Sequence, residues 1–311
     1  MNAKIVVLAS AFVVAFSPVS RGEGADSPGH EIGPPDCYAR VMLIQEELEQ
    51  IRIEMGRPKT GMCVLRVEHA APREVLFQAL SFLDKVNRVS LELTRSVMPA
   101  PDIPSGEIAP KHVYAVLDVA LKVLDGLKAE LDLPPHGVEP PRDANKIPSD
   151  VFQMIFQASR QTNLLMERPF SSRDVYKQVT VALGYVARLR ARFPGSRVGE
   201  APSFRRGLQP IDAHRRLLAC VDRVIELSER SGIRTVGLPG CCERCALAGA
   251  TDSYEIASLI VSELAYLHSR LEGVAPAFKA YPPGRKFPSH LYQRAGMLEA
   301  QLVELIDFVK N

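Results

Sequence analysis

The sequence predicts an all-α protein of about eight amphipathic helices, built on an internal repeat of ~38 residues and forming a helical array or two packed four-helix bundles. Three observations carry this reading. A five-residue start signal recurs eight times, each copy opens a stretch of apolar residues at three-to-four spacing, and no run alternates apolar and polar residues as a half-buried strand would.

The signal opens on Pro34, Pro72, Pro110, Pro148, Ser172, Pro210, Ala250 and Pro288. Its third place holds Asp36, Glu74, His112, Asp150, Asp174, Asp212, Asp252 and His290, and its fifth holds Tyr38, Leu76, Tyr114, Phe152, Tyr176, His214, Tyr254 and Tyr292. Successive copies are 38, 38, 38, 24, 38, 40 and 38 residues apart. Proline suits the first helical turn, where its missing N–H has no intrahelical acceptor, and an acid in third place meets the positive end of the helix dipole. The residue before each copy is then the N-cap, as Ser171 is for the capping box ending at Asp174. The fifth-place aromatics read as packing residues between adjacent helix ends, with a ligand-contacting row as the alternative.

In order, the pattern predicts helices over 36–55, 73–97, 112–131, 150–167, 174–193, 212–231, 252–271 and 290–309. Val41, Ile44, Leu48 and Ile51 line the first, and Ile256, Ile260, Leu264 and Leu267 line the seventh. The short step around Pro169 makes the fourth and fifth helices antiparallel neighbours. Elsewhere a linker of about 15 residues reaches as far as ~50 Å, enough to return the length of a helix, so parallel and antiparallel packing both remain open. Two helical halves are expected, 34–168 and 172–311, or one continuous domain.

Residues 1–24 read as a signal peptide: Lys4 precedes an apolar run from Ile5 to Phe16 that is too short to cross a bilayer as a mature helix, and no Ala-x-Ala marks the cut. The expected location is therefore exported, periplasmic or extracellular, with membrane anchoring at the N-terminus if the signal is retained. No other window suggests an integral span.

A net charge of +2, no tryptophan and 6% aromatic residues argue against a nucleic-acid partner. The reactive side chains concentrate in Cys241, Cys242 and Cys245. Thiolates at this spacing grip a zinc or copper ion when a fourth ligand such as Cys220 or His268 completes the set. In an exported chain, disulfides among the six cysteines are the structural alternative, and no cofactor is otherwise implied. An arginine-rich span that includes Arg188, Arg192, Arg205 and Arg206 suits an anionic partner, or is solvated charge near a helix C-terminus. Asn87 and Asn163 share an offset in their helices and read as an interhelical hydrogen bond or as polar contacts in a cavity. Glycine-rich phosphate loops, Gly-x-Ser-x-Gly, His-Glu-x-x-His and Asp-rich calcium loops are missing from the sequence. The expected function is an exported helical-repeat binding or scaffold protein acting on another envelope or extracellular protein. A small-ligand or metal-binding bundle, and then an enzyme without a readable motif, are the alternatives.

Overall fold

The computed structural model describes residues 31–59, 66–102, 107–193, 195, 200–238, 248–270, 280–281 and 283–309. Each of the eight expected helices begins on the first residue of its start signal: α1 (Pro34–Glu54), α2 (Pro72–Leu93), α3 (Pro110–Glu130), α4 (Pro148–Leu165), α5 (Ser172–Arg190), α6 (Pro210–Arg230), α7 (Ala250–Ser269) and α8 (Pro288–Val309). The described residues contain no strand, only an antiparallel bridge between Glu68 and Gly237.

The start signal works through its third residue. In all eight helices that side chain turns back and accepts a hydrogen bond, 2.8–3.2 Å long, from the backbone N–H of the residue before the helix. His112 and His290 do this with Nδ1, so this nitrogen is unprotonated. Ser171 departs from the expected box: its hydroxyl donates to Asp174 at 2.8 Å, because the returning carboxylate is the stronger acceptor.

The other ends have their own device. Gly56, Asp132 and Gly232 are left-handed, with φ of 62°, 54° and 73°. The residue after each sends its N–H back to the helix: Arg57 to Arg52, Leu133 to Lys128 and Ile233 to Ser228. Helix α2 stops at Leu93 rather than at the expected Val97. Arg95 is left-handed (φ 60°), and Asn87 clamps the departing chain by bonding both the N–H and the C=O of Met98.

The helices form two groups of four. In the first, α1 and α2 each pack against α3 and α4; in the second, α5 and α6 each pack against α7 and α8. Within each group all four helices point the same way. Pro34, Cys37, Pro72, Val75, Pro110, Val113, Pro148 and Val151, the first and fourth signal residues of α1–α4, enclose one apolar plug. In the second group, bonds from His214 to Ser253, Gln178 to Tyr254 and Leu208 to Ser289 bring the starts of α5–α8 together. The linker between α3 and α4, described throughout, therefore runs back along the first bundle, its Gly137 bonding Glu47 and its Arg142 bonding Asp36. A segment of about 17 residues reaches ~55 Å, well beyond a helix of ~30 Å.

The groups meet along α2 and α7, which are antiparallel: Arg73 pairs with Glu263 and Lys85 with Glu255. Helices α4 and α5 do point in opposite directions, but each packs within its own group rather than along the other. Opposing the two groups also opposes their summed helix dipoles, which four parallel helices would otherwise add.

Candidate partner-binding surface

Fourth-place residues point into the bundle and are buried in every helix, from Cys37 to Leu291. Four fifth-place residues, Tyr114, Tyr176, Tyr254 and Tyr292, meet a seventh-place side chain of a neighbouring helix. Arg40 lies over the Tyr114 ring at 4.5 Å, Arg216 over Tyr292 at 4.3 Å and Arg294 over Tyr176 at 5.4 Å. Gln178 donates to the Tyr254 hydroxyl at 2.9 Å. These contacts run α5 to α7, α6 to α8 and α8 to α5, in one sense around the second bundle. Cations in seventh place were legible in the sequence, and their offset from the aromatics would have revealed the pairs.

At the start of α1–α4 Arg40, Arg142 and Lys146 are matched by carboxylates, while Lys111 is exposed without an ion pair among the described residues. Arg40 binds Asp118 and Glu139 at 2.9 and 3.0 Å, Arg142 binds Asp36 at 2.7 Å, and Lys146 lies 3.5 Å from Asp143. Tyr114 also meets Arg40 through its hydroxyl.

The start of α5–α8 is different. Gln293 donates to the carbonyl of Pro202 at 2.9 Å and Ser289 Oγ accepts from Leu208 at 3.3 Å, which pins the linker before α6 against the start of α8. This places Phe204 5.1 Å and Phe287 5.8 Å from the His290 ring, centroid to centroid. Both phenyl rings are partly bared, the residues being 44% and 49% exposed. Arg285 stacks on Phe287 at 5.1 Å and Lys286 on Tyr176 at 4.9 Å. Arg205, Arg206 and Arg285 are exposed and form no ion pair among the described residues. Nearby acids are engaged: Asp212 holds the N–H of Gln209 and Glu299 holds Arg216. Glu200 is the single acid of the linker that carries Arg205 and Arg206.

The fold splits the arginine-rich span. Arg188 and Arg192 lie at the C-terminal end of α5, a helix of 19 residues, so about 28 Å separates them from the end where Arg205 and Arg206 lie. Between them Arg190 is buried and lies 3.6 Å from Glu304. Asn87 is engaged by Met98, while Asn163 Oδ1 is buried without a hydrogen-bond partner.

Cys63, Cys241, Cys242 and Cys245 lie outside the described residues. Cys37 and Cys220 are free and buried, donating to the carbonyls of Pro110 and Ala295, each at 3.4 Å. Burial pushes the Cys37 thiol up to about 12 and the Cys220 thiol well above its usual range, so neither supplies a thiolate at neutral pH. No group of three or more metal-ligating side chains occurs among the described residues. No described helix is long and apolar enough to cross a membrane. No family model matches the chain, and no curated protein and no solved structure matches it either.

Proposed function

We propose that this is an exported helical-repeat scaffold that binds an acidic segment of another envelope or extracellular protein through the start of the α5–α8 bundle. The observation that supports it is the exposed group of Phe204, Phe287, Arg205, Arg206 and Arg285, in which bared aromatic rings are interleaved with guanidinium groups that form no ion pair among the described residues. Aromatic and arginine side chains dominate the energetics of protein interfaces, and arginine forks match carboxylates. The carboxylate-paired Arg40 and Arg142 at the start of α1–α4 form the internal contrast.

The test is crosslinked capture from the native compartment, comparing the wild-type chain with the triple variant Arg205→Glu, Arg206→Glu, Arg285→Glu. The wild type should recover a stoichiometric acidic partner and the variant should lose it by tenfold or more, with an unchanged thermal midpoint. A strictly monomeric wild type that recovers nothing would sink the reading.

A further inference from the structure

Where α2 meets α7, two carboxylates share one guanidinium in a closed environment. Arg73 Nη2 bonds Glu74 Oε1 and lies 3.2 Å from Glu263 Oε2. The side chain of Glu74 is 1% exposed and that of Glu263 6%. One positive charge neutralises one carboxylate, and a second buried anion would stand uncompensated.

The geometry says which carboxyl is charged. Glu74 has the better-aligned contact with Arg73, accepts the Ala71 N–H at 3.0 Å, and sits at the start of α2 where the helix dipole favours an anion. Glu263 Oε2 lies near Arg73 but forms no aligned hydrogen bond. It lines a small cavity with Thr235, whose hydroxyl is buried and unpartnered, and with Val221, Val224 and Ile225, the apolar contribution of α6.

The other charged and aromatic groups described here have contacts of their own, although Arg73 Nη1 has no hydrogen-bond partner. Tyr266 of α7 offers its ring face to the Arg73 guanidinium at 3.8 Å. In the linker before α7, the Arg234 carbonyl accepts from Arg73 at 3.1 Å, while the Arg234 guanidinium reaches His69 at 3.1 Å. In the linker before α2, Glu68 pairs with Arg66 at 3.0 Å. Among the described residues none supplies a second cation to Glu263.

We propose that the α2–α7 seam carries a proton-linked latch, in which Glu263 keeps a proton only while this end of the seam is closed. Opening hydrates Glu263, which gives its proton to water or another solvent base. The three side chains then pass from Arg73 cation, Glu74 anion and neutral Glu263 to the same cation with two anions. Burial, reinforced by the neighbouring Glu74, pushes Glu263 up from 4.5 to about 8, against the pull of Arg73. A raised carboxyl stabilises the closed state fully below 4.5, and that contribution is lost as the pH rises to about 8. The Glu68–Gly237 bridge spans the two linkers at this end and supplies two reporter amides, with N–O distances of 3.0 and 2.8 Å.

Hydrogen exchange on the full chain tests the latch, with rates corrected for their intrinsic rise with pH. Protection at Glu68 and Gly237 should fall by up to tenfold per pH unit between pH 5 and 8 and level off above. In Glu263→Gln it should stay within twofold, while amides of Leu48 and Leu298 follow the wild type. A wild-type profile that is flat over this range, or the same fall in Glu263→Gln, overturns the proposal. Should Glu263→Gln not fold, the carboxyl carbon resonance of Glu263 in the wild type decides: protonated at pH 6 is expected, ionised at pH 6 overturns.

Discussion

The starts of the two bundles follow one blueprint and differ in what they leave unmatched. Around α1–α4, prolines occupy all four first places, Cys37, Val75, Val113 and Val151 seal the axis, and Arg40 and Arg142 face carboxylates. Around α5–α8, Ser172 and Ala250 replace two prolines, and His214 and Ser253 bring a polar contact of 3.2 Å into the plug. There Arg285 and Lys286 stack on aromatic rings and Arg205 and Arg206 face solvent, while Arg216 pairs with Glu299. Helix starts need only a proline or a cap, an acceptor in third place and a buried fourth residue, apolar in every helix but α7, so everything outside those places is free to carry binding. One end pairs its arginines with carboxylates; the other leaves Arg205, Arg206 and Arg285 without an ion pair among the described residues.

The contrast extends along the bundles, and its strongest test lies in the interior. Lys128 of α3 is buried against Glu47 of α1, with Gln50 Oε1 at 2.8 Å, while Glu47 accepts the Gly137 N–H at 3.0 Å. Removing the lysine strands a buried carboxylate. Lys128→Ala should lower unfolding stability by about 3–5 kcal/mol, read from the urea midpoint. In the second bundle the pair Arg190–Glu304 leaves the carboxylate side chain 30% exposed. Glu304→Gln should cost about 1 kcal/mol or less. Equal costs would mean that the first bundle is no more tightly closed than the second.

The second test acts on the polar plug. His214 occupies the fifth place that Phe152 fills in the first bundle, and both are buried. Its Nδ1 lies 3.2 Å from Ser253 Oγ and its Nε2 has no partner. Burial pulls it from 6.5 down to about 4, against the raising influence of Asp252. A depressed histidine is neutral in the folded chain and charged in the unfolded one between these values, so stability is lost as the pH falls from 6.5 to about 4. The loss is on the order of 3 kcal/mol across that window. Glu263 acts in the opposite direction over part of it, so the difference between His214→Phe and wild type is the quantity to measure. His214→Phe should remove the acid loss; an unchanged acid limb refutes the assignment.

Much of the fold was legible because its signals are local. Proline, the third-place acceptor and the apolar stripe act within one helix turn, and they located every helix start. What stayed hidden depends on distant partners. Lys85 and Glu255 are both fully buried and 170 residues apart, and nothing near either residue announces the other. The common direction of four helices was open because the linkers are long enough for either course. Arg205 and Arg206 were legible as cations, but their neighbours were not: Arg188 and Arg192, close in sequence, lie a helix length away, while Phe287 and Arg285 arrive from a linker some 80 residues later. Asn87 and Asn163 read as an interhelical hydrogen bond because they share an offset in their helices, yet a linker that leaves α2 shortly afterwards is within reach of Asn87.

The smallest effect separates the two ends most directly. His112 in α3 and His290 in α8 are the two third-place residues that are not acids, and each accepts its N-cap N–H through Nδ1, at 3.0 and 3.2 Å. An aspartate in either place would keep the hydrogen bond and add a charge that the helix dipole favours, for a gain of about 0.3–1 kcal/mol at low ionic strength. In thermal unfolding, His112→Asp and His290→Asp should therefore give similar small increases. In partner capture they should part. His290 lies between Phe204 and Phe287, so a carboxylate there weakens an acidic partner by repulsion, whereas His112→Asp leaves capture unchanged. Equal capture by both variants would place the binding surface elsewhere on the molecule, since a new negative charge between the two phenyl rings has no way to be silent in an interface built on Arg205, Arg206 and Arg285.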